Sequence, residues 1–268
     1  MTTTEICNLA LLRIGEPAIT DIAGTGTVPE ICNLVYAQTV RELLRGHRWN
    51  FATKRTVLEP TQVTPTGIAE SGDGEYEITK SGHGLTTGQR VTFIDSVNYS
   101  GINGTWRVTV SSSSVFTLDD SDFDGSGAVD FTYALAGVTE WAYSIALPSD
   151  CLRALEDDRQ ESDSAVRWVV EAGRVLTDEL TLEFKYIADE TDPDVYGADP
   201  LFVSTLSLTL AIKIETALRG DTGSAGLKSE LAAMMAPLAK RVDANEGQPR
   251  ERLFPFQSLF VRARSAGL

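Results

Sequence analysis

Cysteine, histidine and positive charge are all scarce in this chain of 268 residues. It holds 3 cysteines and 2 histidines, and 23 lysines and arginines face 38 aspartates and glutamates, for a formal net charge of −15. Three widely spaced cysteines, an odd number, exclude a disulfide framework and suit a reducing cytosol. Neither His47 nor His83 has a partner at metal-ligand spacing, so the sequence assigns no metal, and no cofactor, to either. No apolar run approaches the roughly 20 residues that span a bilayer, and no membrane partner is expected. The stretch Met1-Thr2-Thr3-Thr4-Glu5 has neither the basic nor the apolar region of a signal peptide. A surface this acidic argues against tight wrapping of nucleic acid, which needs Lys and Arg to displace counterions. A P-loop, a dinucleotide fingerprint and a G-x-S-x-G elbow are also missing.

What is present is a globular composition, 42% hydrophobic and 23% charged. The charge is uneven. Residues 59–150 hold 3 basic and 13 acidic side chains, and residues 151–200 hold 5 and 14. The two ends of the chain are close to neutral or slightly basic, so ends and middle are expected to face different surroundings.

The first 58 residues read as two helices. Thr2 and Glu5 have capping-box spacing, Ile6, Leu9 and Leu12 follow as an apolar face, and Gly15 and Pro17 stop the first helix. Thr27 and Glu30, with Pro29 between them, predict a second capping box. The helix it opens carries Ile31, Leu34, Val35, Leu43 and Leu44 and stops at Gly46. His47-Arg48-Trp49-Asn50-Phe51 is then expected to be extended. From Asp199-Pro200 the helical period returns with Leu206, Leu210, Ile214 and Leu218. Leu227, Leu231, Met234 or Met235, Leu238 and Val242 predict a fourth helix.

Between these helical ends the grammar is β. Short alternating runs at 75–79, 90–94, 105–110, 115–118 and 128–133, separated by turn residues, predict five or so strands closed into a small barrel or sandwich. Runs at 141–147, 167–170 and 180–186 predict a second, small sheet. The expected fold class is α+β: a four-helix bundle from both chain ends, a small β-sheet, and an inserted all-β barrel or sandwich. The expected division is a core of 1–60 with 139–247, an inserted β domain at 61–138, and an extended C-terminal tail at 248–268.

Candidate chemistry is thin. Cys7, Cys32 and Cys151 are isolated, and the first two sit among apolar neighbours, where free cysteine behaves as a small hydrophobe. Asp221-Thr222-Gly223 matches the aspartic-protease triplet but falls between two predicted helices, where it reads as a turn. Asp120-Ser121-Asp122-Phe123-Asp124-Gly125 fits the first half of an EF-hand loop, yet Phe131 stands where the bidentate Glu belongs. The sequence therefore assigns no catalytic residue, and an enzyme is not expected.

The layout carries a resemblance. Ile6-Cys7-Asn8-Leu9-Ala10-Leu11-Leu12-Arg13-Ile14-Gly15-Glu16-Pro17 resembles the opening helix and "IGEP" stop of the tail tubular protein A family, the head-to-tail adaptors of short-tailed bacteriophages. Arg45-Gly46-His47-Arg48-Trp49-Asn50-Phe51 resembles that family's "GWxFN"-like exit, with His47 and Arg48 interrupting the usual Gly-Trp pair. Leu147-Pro148-Ser149-Asp150-Cys151-Leu152-Arg153 resembles its "LPxDxLR" strand end, and 201–244 its closing helix pair. Within the insert, 83–91 and 101–105 resemble small β modules of phage tail proteins.

The resemblance implies a structural virion protein of the neck, made in the host cytoplasm. It implies a homo-oligomeric ring, typically of twelve copies, between the portal protein and the tail tube or nozzle. Genomic DNA passes through such a ring without sequence-specific contact. It also implies a C-terminal portal clasp. Residues 248–268 suit that role, since aromatic and Arg residues anchor interfaces. The candidate portal-binding residues are Arg250, Arg252, Leu253, Phe254, Phe256, Leu259, Phe260, Arg262 and Arg264. The competing expectation is a tail accessory or glycan-binding module acting through the β insert, with Tyr76, Phe93, Tyr99 and Trp106 as stacking candidates.

Overall fold

The computed structural model of the chain describes residues 1–137, 140–155, 166–220, 233 and 235–243. It divides into two compact units: Met1–Ala52 with Glu190–Leu268, and Thr53–Asp189.

The first unit is helical. Helix α1 (Thr3–Ile14) opens on the complete Thr2/Glu5 capping box and closes at Gly15, whose φ of 74° is the left-handed conformation glycine adopts most readily. The Glu16 N–H donates to the Leu11 carbonyl, completing a Schellman stop. Helix α2 (Thr27–Gly46) starts one residue earlier than the capping-box reading supposes. Gly26 is its N-cap, Thr27 already lies inside the helix, and no side chain caps it, although Glu30 Oε1 accepts from Gly26 N. After α2, Asn50–Ala52 form a 3-10 turn rather than an extended segment. The short α3 (Pro193–Tyr196) leads to α4 (Pro200–Arg219), which Asp199 caps by accepting from Leu201 N and Phe202 N.

Helix α4 is the hub, packing against both α1 and α2. Phe202, Val203, Leu206, Leu208, Leu210, Ala211 and Ile214 are all buried, so it is apolar on several faces at once. By length and composition alone it is apolar enough to cross a membrane, but 56% of its most apolar stretch is buried inside the protein, as befits a core helix.

The expected faces of α1 and α2 are rotated. On α1 the buried residues are Ile6, Cys7, Ala10, Leu11 and Ile14, while Leu12 is 75% exposed. On α2 they are Cys32, Tyr36, Thr39, Val40 and Leu44, while Leu34 is 79% exposed. Cys32, Tyr36, Val40 and Leu44 fall at i, i+4, i+8 and i+12, a truer helical row than the leucines offered.

The four-helix bundle expected from the two chain ends is not seen. β structure dominates instead, with twelve strands in three sheets among the described residues. A central apolar α4 needs to be covered, not paired face to face, and α1, only 12 residues long, cannot run its full length. The helical stretch 235–243 buries Ala239 and Asp243 while Leu238 and Val242 stay exposed, so it does not turn the predicted leucine face inward. The remaining residues of that predicted helix lie outside the described ones.

The second unit is all β. A six-stranded antiparallel sheet runs in the order β2-β3-β6-β5-β4-β7. These strands are β2 (Gly67–Glu70), β3 (Tyr76–Thr79), β4 (Arg90–Ile94), β5 (Gly104–Ser112), β6 (Val115–Leu118) and β7 (Thr132–Leu135). It curls into a half-barrel around Tyr76, Ile78, Phe93, Val108, Phe116 and Tyr133, and β2 and β7 remain as its edges. The closed barrel or sandwich expected from the strand count is therefore replaced by one open, curled sheet. The alternation that places these residues inward is the signal the sequence carried.

The single small sheet expected after the insert is two three-stranded sheets. One is β1-β12-β9, from Thr53–Leu58, Leu182–Ala188 and Cys151–Leu155; the other is β10-β11-β8, from Trp168–Glu171, Arg174–Thr177 and Tyr143–Ala146. They share an apolar core that includes Tyr143, Ile145, Val175, Phe184 and Tyr186.

Candidate functional site

The candidate portal-binding residues Arg250, Arg252, Leu253, Phe254, Phe256, Leu259, Phe260, Arg262 and Arg264 lie outside the described residues, as does Asp221-Thr222-Gly223. What the structure describes is the root from which that segment leaves, at residue 243.

The root is held by side chains from the far end of the chain. Asp243 is buried, and its Oδ1 accepts from the Asn50 N–H at 2.8 Å. Its Oδ2 lies 3.0 Å from His47 Nε2, and Asn50 Nδ2 donates to the Asp243 carbonyl at 2.5 Å. Lys240 Nζ donates to the Gly46 carbonyl, which closes the C-terminus of α2. A carboxylate taken out of water needs such partners, because an unpaired buried charge is strongly destabilising.

Beneath this latch lies an aromatic cluster. The Trp49 ring meets Phe202 edge-on at 4.9 Å and Phe51 meets Phe202 at 5.0 Å. Tyr196 packs on both Phe51 and Phe202, and Trp49 Nε1 donates to the Leu43 carbonyl at 2.9 Å. The motif residues His47, Trp49, Asn50 and Phe51 thus join α2, α4 and the C-terminal helical stretch. A cavity of about 400 Å³ opens beside the latch, lined by Asn50, Phe51, Pro200, Leu201, Val242 and Asp243. The sequence carried no signal for the Asn50–Asp243 pairing, which spans 193 residues.

Other residues singled out from the sequence have structural partners. His83 Nε2 lies 2.9 Å from the Ser112 carbonyl and its Nδ1 accepts from Leu85 N. Cys7 and Cys32 are free, buried thiols hydrogen-bonded to one another between α1 and α2; that hydrogen bond and burial push the Cys7 thiol far up, which keeps it protonated and a poor nucleophile. In the Asp120–Asp124 run, the Asp124 carboxylate accepts from the Tyr76 hydroxyl and from Gly101 N, and Phe123 packs on Tyr76 and Tyr99. Among the described residues no three His, Cys, Asp or Glu side chains gather in a way that could hold a metal ion.

The stacking candidates of the insert are core. Tyr76, Phe93 and Tyr99 are all buried, and Trp106 packs against the same cluster with its Nε1 donating to the Ile102 carbonyl. Asp150, of the Leu147–Arg153 motif, ties two strands: Lys54 on β1 and Tyr186 on β12 both donate to it. The Lys54 ammonium and that tyrosine bond hold its carboxyl below the usual range.

Compared with protein-family models and with curated proteins, the chain matches none.

Proposed function

We propose that this chain is a structural virion protein of a tailed bacteriophage. In this reading it is a head-to-tail adaptor, a ring of about twelve copies between the portal protein and the tail tube or nozzle, through which the genome passes. The observation that carries the reading is the closure of the N-terminal helices and the described residues from 190 to 243 on one helical unit. The motifs behind the resemblance fall on structural nodes of the protein: Gly15 at the stop of α1, Trp49 in the aromatic cluster, Asp150 as a strand tie.

Two further features support it. Leu12 and Leu34 stand exposed on α1 and α2, apolar surface of the kind a repeated contact between neighbouring copies uses. The buried Asp243 latch fixes the point five residues before 248–268, so a clasp made of that segment starts from an anchored root. The work of such a protein is done by interfaces and shape. Any acidic surface turned to the channel repels DNA phosphates and lets the genome slide.

The test is docking. Purified protein mixed with portal rings is expected to decorate them in electron micrographs, and the chain lacking 248–268 is expected to stay soluble and leave the portals bare. Decoration by the truncated chain overturns the clasp, and failure of the full chain to decorate any portal overturns the adaptor reading.

A further inference from the structure

Residues 59–200 hold 8 basic and 27 acidic side chains. Three of those few cations, Arg90 on β4, Arg107 on β5 and Arg174 on β11, line a single cleft of about 500 Å³ within the β unit. Among the described residues, none of the three has a carboxylate within 4.0 Å. The bonds they make are to neutral groups. Arg90 Nη1 donates to the Gly137 carbonyl at 3.3 Å. Arg174 donates through Nε to Ser144 Oγ at 2.6 Å and through Nη2 to the Ser144 carbonyl at 2.7 Å. These bonds orient both guanidiniums without pairing either to a carboxylate.

The cleft is shaped around the third arginine. Gly88 has a φ of +93°, and a Cβ added there would meet Arg107 Nη2 at 3.2 Å, so bare backbone lets the guanidinium lie against the wall. Leu135, Ala136 and Leu176 supply an apolar floor. Among the described residues Glu171 is the single acid of the lining; it is exposed and stands opposite Arg174 in the β10–β11 hairpin. At the turn of that hairpin Ala172 is held at a φ of 48°, in the left-handed region that non-glycine residues mostly avoid and that recurs at ligand clamps.

We propose that this cleft binds an acidic side chain presented by an extended segment of a protein partner. The carboxylate is gripped by the arginines while its aliphatic stem lies on Leu135 and Leu176. A guanidinium matches a carboxylate through two parallel N–H···O bonds, and several around one site set its position as well as its charge. A phosphate would satisfy the same donors, but a nucleic acid brings a run of charges. The many carboxylates of this unit repel such a polyanion at distances up to a Debye length of about 8 Å. One carboxylate on an apolar stem avoids that repulsion and uses the floor. The volume suits a few side chains, within the roughly 300–1,000 Å³ of ordinary ligand clefts. The inference stands on the cleft alone, independent of the adaptor reading.

The experiment titrates the full chain with the capped peptide acetyl-Leu-Glu-Leu-Glu-Leu-amide, with its Gln-for-Glu counterpart, and with inorganic phosphate, by calorimetry at low and moderate salt. The Glu peptide is expected to bind at least tenfold tighter than the Gln peptide and tighter than phosphate, and to weaken as salt rises. Arg107→Ala is expected to weaken Glu-peptide binding about tenfold with an unchanged thermal midpoint, since that side chain is exposed. Arg107→Lys should keep part of the affinity, and Glu171→Gln should strengthen it. Equal binding of the two peptides, no binding of either, phosphate binding as tightly as the Glu peptide, or native affinity in Arg107→Ala each overturns the proposal.

Discussion

The hydroxyls of Tyr36 and Tyr196 meet at 2.5 Å inside the helical unit, 160 residues apart in sequence. Tyr196 Oη also lies 3.4 Å from the Thr191 carbonyl, so the pair forms a short relay from α2 through α3. Burial, and then the bond to Tyr36, push the Tyr196 phenol far up, while burial raises Tyr36 less. Both groups are thus neutral across the physiological range. Replacing either by Phe is expected to cost about 0.5–1.5 kcal/mol, the usual worth of such a bond. The double variant is expected to cost less than the sum of the two, because the second change then strands no partner. Urea unfolding of the four proteins measures the coupling, and strict additivity would show that the two hydroxyls do not interact.

Tyr133 presents the opposite case. Its ring is buried in the half-barrel core, and among the described residues its hydroxyl has no hydrogen-bond partner. A buried polar group left unpaired costs about 1–3 kcal/mol. Tyr133→Phe is therefore expected to stabilise the β unit by about 1 kcal/mol, read as a higher urea midpoint with an unchanged slope. A lower midpoint would mean that the hydroxyl is satisfied in solution.

Tyr133 and Tyr76 also contribute to the alkaline limit. Burial, and for Tyr76 also the bond to the Asp124 carboxylate, hold Tyr76 and Tyr133 up to about 12, against 10 for a free tyrosine. Between pH 10 and 12 the unfolded chain has released protons that the folded chain still binds, so stability falls as pH rises through that window. Below pH 10 these two groups contribute no pH dependence. These two groups contribute at most about 2.7 kcal/mol per pH unit, added to what the other raised tyrosines (Tyr36, Tyr143, Tyr186 and Tyr196) contribute, and Tyr133→Phe should lower the slope by at most about 1.4 kcal/mol per pH unit. Chemical denaturation at pH 8, 10 and 11.5 checks both statements.

Gly125 is the least replaceable glycine described. Its φ is +79°, and a Cβ there would sit 2.0 Å from the Asn98 carbonyl oxygen, a backbone atom that cannot swing aside. Gly125→Ala is expected to destabilise the β unit by about 2–3 kcal/mol, as overpacking against fixed backbone does. Gly72→Ala, where a Cβ meets nothing within 4 Å, is the control and should be near neutral. Thermal unfolding of the two variants side by side gives the comparison.

Local grammar proved easier to read than orientation. The Thr2/Glu5 cap, the Gly15 stop and the Asp199-Pro200 start were all legible, because each is a bond within four residues of itself. Most of the insert's strands were legible from alternation, as in Tyr76 and Ile78. The buried faces of α1 and α2 were not, since leucine drew attention away from the small Cys7, Ala10 and Cys32 that allow close approach to neighbours. The bundle failed for a related reason. Periodicity shows that a helix has an apolar face, not that α4 is apolar on several. At the sites, Trp49 and Asp150 stood out in sequence. Asp243 did not, and neither did the three arginines of the cleft, because their meaning lies in distant neighbours.

The central position of α4 dictates an order of events during synthesis. Helices α1 and α2 leave the ribosome first, yet the helix they pack against begins about 150 residues after α2 ends. At roughly 5–20 residues per second that is a wait of about 8–30 s. The whole β middle, Thr53–Asp189, with apolar cores of its own, is made in that interval. A nascent chain therefore carries two amphipathic helices without their hub, displaying Ile6, Leu11, Val40 and Leu44 to any chaperone or protease at hand. Translation that stalls before Pro200 strands the N-terminal helices in that state, so a built-in checkpoint lies where about the last quarter of the protein begins.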